Sequence, residues 1–148
     1  MTDVNDFATL VHRDHGLCVV STLRYDNTIQ STVVNAGVLG HPVTGSPMVA
    51  FTTRGTTAKL ANLRARPRAT VVVRAGWEWA AAEGTVELAG PADHHPGVGD
   101  AEALRLLLRE VFIAAGGTHD DWPTYDTVMA DERRAVVMVI PERVYSNT

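Results

Sequence analysis

Runs of apolar and β-branched residues recur along the chain and predict a series of β-strands. The predicted strands are residues 17–23, 28–37, 48–53, 69–74, 77–88 and 135–140. Tyr25-Asp26-Asn27 is a turn sequence between the first two strands, so these two should form an antiparallel hairpin. Pro141 should break the last run before Val144 and Tyr145, because proline has no backbone N–H to donate to a neighbouring strand.

Apolar residues spaced three or four positions apart predict helices between these strands. The predicted helices are residues 4–11, 57–66, 100–114 and 122–130. Thr56 or Thr57 can cap the second helix, and Pro67 should end it. The third is the clearest, because residues such as Leu104 and Leu108 lie on one stripe of its surface.

The order of these elements predicts a mainly β fold of the α+β type. Six or seven strands that mostly follow one another favour antiparallel pairing, and the helices are too few to cover both faces of such a sheet. Closure into a split β-barrel with peripheral helices removes the exposed edges. The turn-rich loop at residues 91–99 is flanked by core-forming sequence on both sides, so residues 1–148 should form a single domain.

Composition limits the partners of this fold. Thirteen basic against seventeen acidic residues give a net charge of −4, which disfavours general binding to nucleic acid or to an anionic membrane. The N-terminal sequence lacks the pattern of a secretory signal, and no run is long and apolar enough to insert into a bilayer. Cys18 is the only cysteine, so no intrachain disulfide can form, and a cytoplasmic location is expected.

A local anion site is predicted at the start of the second helix. Lys59 is the only lysine in a chain with twelve arginines, and it lies where the free N–H groups and the helix dipole attract negative charge. The basic residues around it are Arg54, Arg64, Arg66 and Arg68. Phosphate would be stable there, although such a cluster can also be a solvated helix face. The sequence has neither a P-loop nor a dinucleotide-binding glycine motif.

Other candidate residues carry weaker signals. Trp77 and Trp79 lie on one side of a strand and could stack on a planar ring, close a dimer interface or fill the core. His94-His95 and His119 lack the spacing of a metal site, so no metal is expected. Cys18 lies in an apolar strand, which argues against nucleophilic catalysis.

Four segments resemble one known family. Residues 58–70 are similar to the K-x-x-N-L-x-x-x-P-R-a signature of the pyridoxamine-phosphate-oxidase-like split-barrel proteins, and residues 17–26 and 76–84 resemble further motifs of that family. Residues 120–140 resemble the s-D-W-x-x-Y and d-r-r-v-l motifs of its deazaflavin-dependent branch, which uses coenzyme F420 in place of FMN. The resemblance spans residues 7–145 and implies a homodimer with the cofactor at the subunit interface.

The resemblance also implies a set of cofactor contacts. Lys59 would bind the cofactor phosphate. Relatives often have an arginine at the position of Thr57, two residues before the lysine. Arg54 could take over the role of that missing arginine in binding the phosphate. Ser31, Thr32, Val33, Val34 and Asn35 would lie along the deazaflavin ring, with Phe51, Thr52 and Thr53 at the ribityl chain. Trp77 and Trp79 would approach from the second subunit, and Arg64 would receive the oligoglutamate tail.

The function implied by this resemblance is hydride transfer from reduced F420 to a small conjugated or quinone-like acceptor. Two alternatives remain open at this point: an FMN-dependent oxidase or reductase on the same barrel, and a carrier that binds F420 without turnover. No catalytic residue is identified. Tyr25, Tyr125 and solvent are equal candidates for the proton donor.

Overall fold

The computed structural model describes residues 2–148, and these form six strands and four helices. The strands are β1 (Leu17–Leu23), β2 (Ile29–Gly40), β3 (Pro47–Thr53), β4 (Arg68–Ala75), β5 (Glu78–Ala89) and β6 (Ala135–Ser146). The helices are α1 (Val4–Arg13), α2 (Ala58–Ala65), α3 (Ala101–Ala114) and α4 (Trp122–Asp131). None of the helices in this part of the chain is long and apolar enough to cross a membrane.

The strands close into an antiparallel barrel in the order β1-β2-β3-β6-β5-β4, which confirms the predicted fold class. Sequential hairpins supply part of the pairing, and the contacts of β1 with β4 and of β3 with β6 join distant parts of the chain. Alternate residues point inwards, so that Phe51, Val71 and Val137 are fully buried inside the barrel. Phe7 of α1 joins this core and is also fully buried.

Helix α3 packs unusually close to the barrel wall because two glycines make room for it. A Cβ atom on Gly37 of β2 would lie 2.3 Å from the carbonyl carbon of Ala114. A Cβ on Gly16 would lie 2.2 Å from the Ala115 oxygen. Leu108 and Val111 of α3 complete a second core outside the barrel. The glycines therefore set the position of the helix relative to β2.

The prediction that Pro141 ends the last strand was wrong, because β6 continues through it to Ser146. A β-bulge accommodates the proline. Gly84 pairs with Pro141 and Glu83 with Arg143, which leaves Glu142 as the extra residue. The pairing of β6 with β3 stops at Val139, so the missing N–H of Pro141 interrupts no ladder on that side.

Candidate functional site

A cleft of about 400 Å³ lies beside the start of α2, between the barrel and the helices α3 and α4. We call it the β3–α2 cleft. It brings together many of the residues expected to contact a cofactor: Val33, Val34, Asn35, Thr52, Thr53, Thr57 and Lys59. The opposite wall includes Val111, Phe112 and Tyr125. A strand edge, a helix start and an aromatic wall therefore face one concave space.

Lys59 is held at the mouth of α2 by the local structure. Thr57 caps the helix, accepting a hydrogen bond from the Leu60 N–H at 3.3 Å, and its hydroxyl lies 2.8 Å from that of Thr53. Lys59 is half-buried, and burial together with the charge of Arg134 lowers its pKa. Within residues 2–148 its ammonium group has no carboxylate partner. This cation is therefore available to an external anion.

Arg134 is a further cation of the cleft, and no local sequence pattern indicated it. Its Nη1 lies 3.4 Å from the Thr52 hydroxyl, and its Nε donates to Glu132 at 3.0 Å. Arg54 pairs with the other oxygen of Glu132, also at 3.0 Å. Arg54 and Arg134 thus share one carboxylate, whereas Lys59 has no carboxylate partner within residues 2–148. Three cations against one carboxylate leave an excess of positive charge around the cleft, which favours an anionic group such as a phosphate.

The structure divides the predicted basic cluster. Arg54 and Lys59 line the cleft, whereas Arg64 forms a bidentate ion pair with Asp93, with N–O distances of 2.8 and 2.7 Å. Arg66 donates to the Leu23 carbonyl, and Arg68 pairs with Glu142 at 2.9 Å. The last three arginines already bind protein groups outside the cleft.

Three other predicted contacts, Phe51, Thr32 and Ser31, lie outside the cleft. The Phe51 side chain is fully buried in the barrel, and Thr32 has a buried hydroxyl for which residues 2–148 offer no partner. Ser31 lies on the outer face, where its hydroxyl is 2.8 Å from that of Ser21. None of these three residues lines the cleft, whose strand contacts come from residues 33–35 and 52–53.

Trp77 and Trp79 lie on a separate, apolar face of the barrel. They border a depression of about 800 Å³ together with Leu17, Val19 and Val33. We call this surface the outer sheet face. Trp77 is 94% exposed and Val33 is 65% exposed. Val33 also lines the β3–α2 cleft, so the outer sheet face and the cleft adjoin each other.

The structure separates the two tyrosines considered as proton donors. Tyr25 is 86% exposed at the β1–β2 turn and is not part of the cleft. Tyr125 lines the cleft, but its hydroxyl donates to the Leu108 carbonyl at 3.0 Å, and burial raises its pKa. The proton of Tyr125 is therefore directed at a backbone carbonyl rather than at a ligand.

His41, Glu87 and His95 form a cluster that the sequence did not predict, with ligand types found in metal sites. Both Nε2 atoms contact one Glu87 oxygen, at 2.8 Å from His41 and 2.6 Å from His95. The Nδ1 atom of His41 accepts the Val43 N–H, and that of His95 accepts the Gly97 N–H. Neutral rings in this arrangement carry their proton on Nε2, the atom a metal would need. The cluster is thus better suited to anchoring the loops that contain His41 and His95 on Glu87 of β5 than to binding a metal.

The structure was compared with solved structures, and the sequence was compared with protein-family models. No family model matches the sequence. A conserved hypothetical protein from Mycobacterium tuberculosis superposes with a TM-score of 0.69 at 19% identity, covering 99% of this chain and 84% of that one. A pyridoxamine 5'-phosphate oxidase-related, FMN-binding protein from Nostoc punctiforme gives 0.70 at 13%, covering 96% and 81%. An F420 reductase gives 0.62 at 15%, covering 93% and 94%. The fold is therefore that of the pyridoxamine-phosphate-oxidase-like split barrels.

Proposed function

We propose that this chain is an F420-dependent oxidoreductase whose β3–α2 cleft binds the cofactor phosphate. The observation that carries the proposal is Lys59, a half-buried cation with no carboxylate partner within residues 2–148. Arg54 and Arg134 add charge beside it, with Glu132 as their shared counter-ion. An excess of positive charge in a concave site is stabilised by an anionic ligand.

Different residues of the cleft would contact different parts of the cofactor. Lys59 would pair with the phosphate, while Thr52 and Thr53 would border the ribityl chain. Val33 and Asn35 would lie along the ring. Reduced F420 supplies a hydride, which we propose is transferred to a small conjugated or quinone-like acceptor. Since Tyr125 is bonded to a carbonyl, we assign delivery of the accompanying proton to solvent.

We further propose that the active form is a homodimer that pairs through the outer sheet face. Large exposed apolar side chains such as Val19, Val33 and Trp77 are costly to leave in water when they lie together. Since this face adjoins the cleft, a second copy could bring its own Trp77 and Trp79 towards the cofactor ring. Binding and dimerisation would then share one surface.

FMN is the alternative cofactor, because its phosphate would suit the same cations. The resemblance of residues 120–140 to the deazaflavin-dependent branch favours F420. An FMN-dependent oxidase or reductase, or a carrier that binds F420 without turnover, would use the same cleft. Titration with each cofactor, followed by mixing reduced cofactor with candidate quinone-like acceptors, distinguishes the three.

The decisive experiment is a calorimetric titration of F420 and FMN into the parent protein and the Lys59→Ala variant. Loss of a charge-assisted phosphate contact should weaken binding about 10- to 100-fold. Arg68→Gln is the matched control, because it also removes one cation and its partner Glu142 lies outside the cleft. Equal affinity of Lys59→Ala and the parent protein would refute the phosphate assignment.

The dimer is tested by light scattering on Val33→Asp, which places a charge on the outer sheet face. We expect a dimer for the parent protein and a monomer for the variant. Val43→Asp is the control, since Val43 is 63% exposed but lies in the β2–β3 loop. A monomeric parent protein, or a Val33→Asp variant that remains dimeric, would contradict this part of the proposal.

A further inference from the structure

A second and larger cavity, of about 830 Å³, lies between the loop at residues 90–99 and the helices α3 and α4. We call it the α3–α4 cavity. Its size falls within the range of about 300–1,000 Å³ that is usual for small-molecule sites. Much of its wall is apolar, formed by Pro91, Ala92, Val98, Leu104, Leu108 and Met129. Met129 and Arg134 also line the β3–α2 cleft, so the two spaces are neighbours.

The carboxylates around the cavity are already paired within the protein. Asp100 caps α3 by accepting the Ala103 N–H at 2.8 Å. The ion pairs are Asp93 with Arg64, Glu102 with Arg105, Asp126 with Arg105 and Arg109, and Arg134 with Glu132. Their charges largely cancel, so they leave little unbalanced negative charge to attract a cation.

Arg133 differs from Arg105 and Arg134, the other arginines that line the cavity, because both of those are paired with carboxylates. Within residues 2–148 its guanidinium group forms no ion pair. Its backbone has a positive φ of 51°, which is uncommon for a residue with a side chain. The backbone of Gly55 packs closely against this residue, since a Cβ there would lie 2.8 Å from the Arg133 oxygen. In the part of the chain that the structure describes, Arg133 is thus an unpaired, exposed cation at the border of an apolar space.

We propose that the α3–α4 cavity binds a small organic carboxylate with an apolar body, whose acid group pairs with Arg133. The apolar wall takes up the body of the ligand, and the planar guanidinium suits a carboxylate. This site is distinct from the β3–α2 cleft, because Lys59 and Arg54 do not line it. The proposal therefore stands whether or not the chain binds F420.

The test uses three probes with the same chain and different head groups: octanoate, 1-octanol and octyltrimethylammonium. Calorimetry on the parent protein should show octanoate binding at least about 10-fold more tightly than either of the others. Arg133→Gln should remove this preference while leaving the weak binding of octanol unchanged. Arg143→Gln, which alters a cation paired with Glu83 elsewhere on the barrel, should keep it.

A steric pair of variants locates the site. Ala130→Trp places a large side chain into the cavity from an exposed position of α4 and should abolish octanoate binding. Val128→Trp is the control, because Val128 is exposed on the same helix and does not line the cavity. Thermal unfolding of both variants verifies that they are folded.

Several outcomes would overturn the proposal. They are the absence of octanoate binding to the parent protein, equal binding of the three probes, and octanoate binding that Ala130→Trp leaves intact. Loss of octanoate binding in Lys59→Ala would show that octanoate binds in the β3–α2 cleft, and this result would also count against the proposal. Retained octanoate binding in that variant, together with lost cofactor binding, would support both sites independently.

Discussion

Replacement of Gly37 by alanine tests whether close packing of α3 shapes the cleft. The new methyl group would lie 2.3 Å from the Ala114 carbonyl carbon and 2.5 Å from its oxygen, whereas ordinary contact begins at 3.4 Å. Because both obstacles are backbone atoms, α3 must move outwards by about 1 Å. Overpacking of this kind costs about 1–3 kcal/mol, and the rigid neighbour favours the upper half of that range.

The assay is urea unfolding of Gly37→Ala followed by circular dichroism. Gly99→Ala is the matched control, because a Cβ at Gly99 would have no neighbour within 4 Å. We expect Gly37→Ala to lose about 2 kcal/mol of unfolding free energy, whereas Gly99→Ala should be neutral or slightly stabilising. F420 affinity should also fall, because α3 carries Val111 and Phe112 into the cleft wall. Equal stability of the two variants would refute the packing argument.

Two further predictions concern titratable groups. Hydrogen bonds from His41 and His95 lower the pKa of Glu87 below its ordinary value of 4.5, so this stabilisation is present above pH 4.5 and is lost as the pH falls through the lowered pKa. Glu87→Gln should therefore reduce the unfolding free energy at neutral pH by no more than about 1 kcal/mol, because the carboxylate is partly exposed. The difference in unfolding free energy from the parent protein should shrink in acid. A difference that does not change with pH would contradict this explanation. Burial raises the pKa of the Cys18 thiol to about 12, so an aromatic disulfide reagent should react with it quickly only in denaturant. Fast reaction of the native protein would show that Cys18 is accessible.

Local sequence signals predicted the elements of the barrel well. Of the two threonines predicted as possible caps of α2, the structure uses Thr57, and the start of the helix was predictable because capping depends on residues only three positions apart. The stripe containing Leu104 and Leu108 predicted α3 for a similar reason. Pro141 misled the prediction, since the bulge that tolerates it is formed with Gly84, more than fifty residues away.

The site was harder to predict because its charges are paired across the fold. Lys59 could be selected from its position at a helix start. Arg134 could not, because it reaches the cleft only through the pairing of β3 with β6, which brings it to Thr52. The sequence likewise offers no sign that Arg64 is held by Asp93, twenty-nine positions further on. Long-range register decides which cations remain free.

The pairing of β3 with β6 has a consequence for folding during synthesis. Residues 47–53 emerge from the ribosome about eighty residues before their partner strand at 135–146. Until then, the edge of β3 that contains Val49, Ala50 and Phe51 has unsatisfied backbone groups beside apolar side chains, the features that promote intermolecular association. The barrel can therefore close only after residues 135–146 have been synthesised, and this non-local pairing favours slow folding.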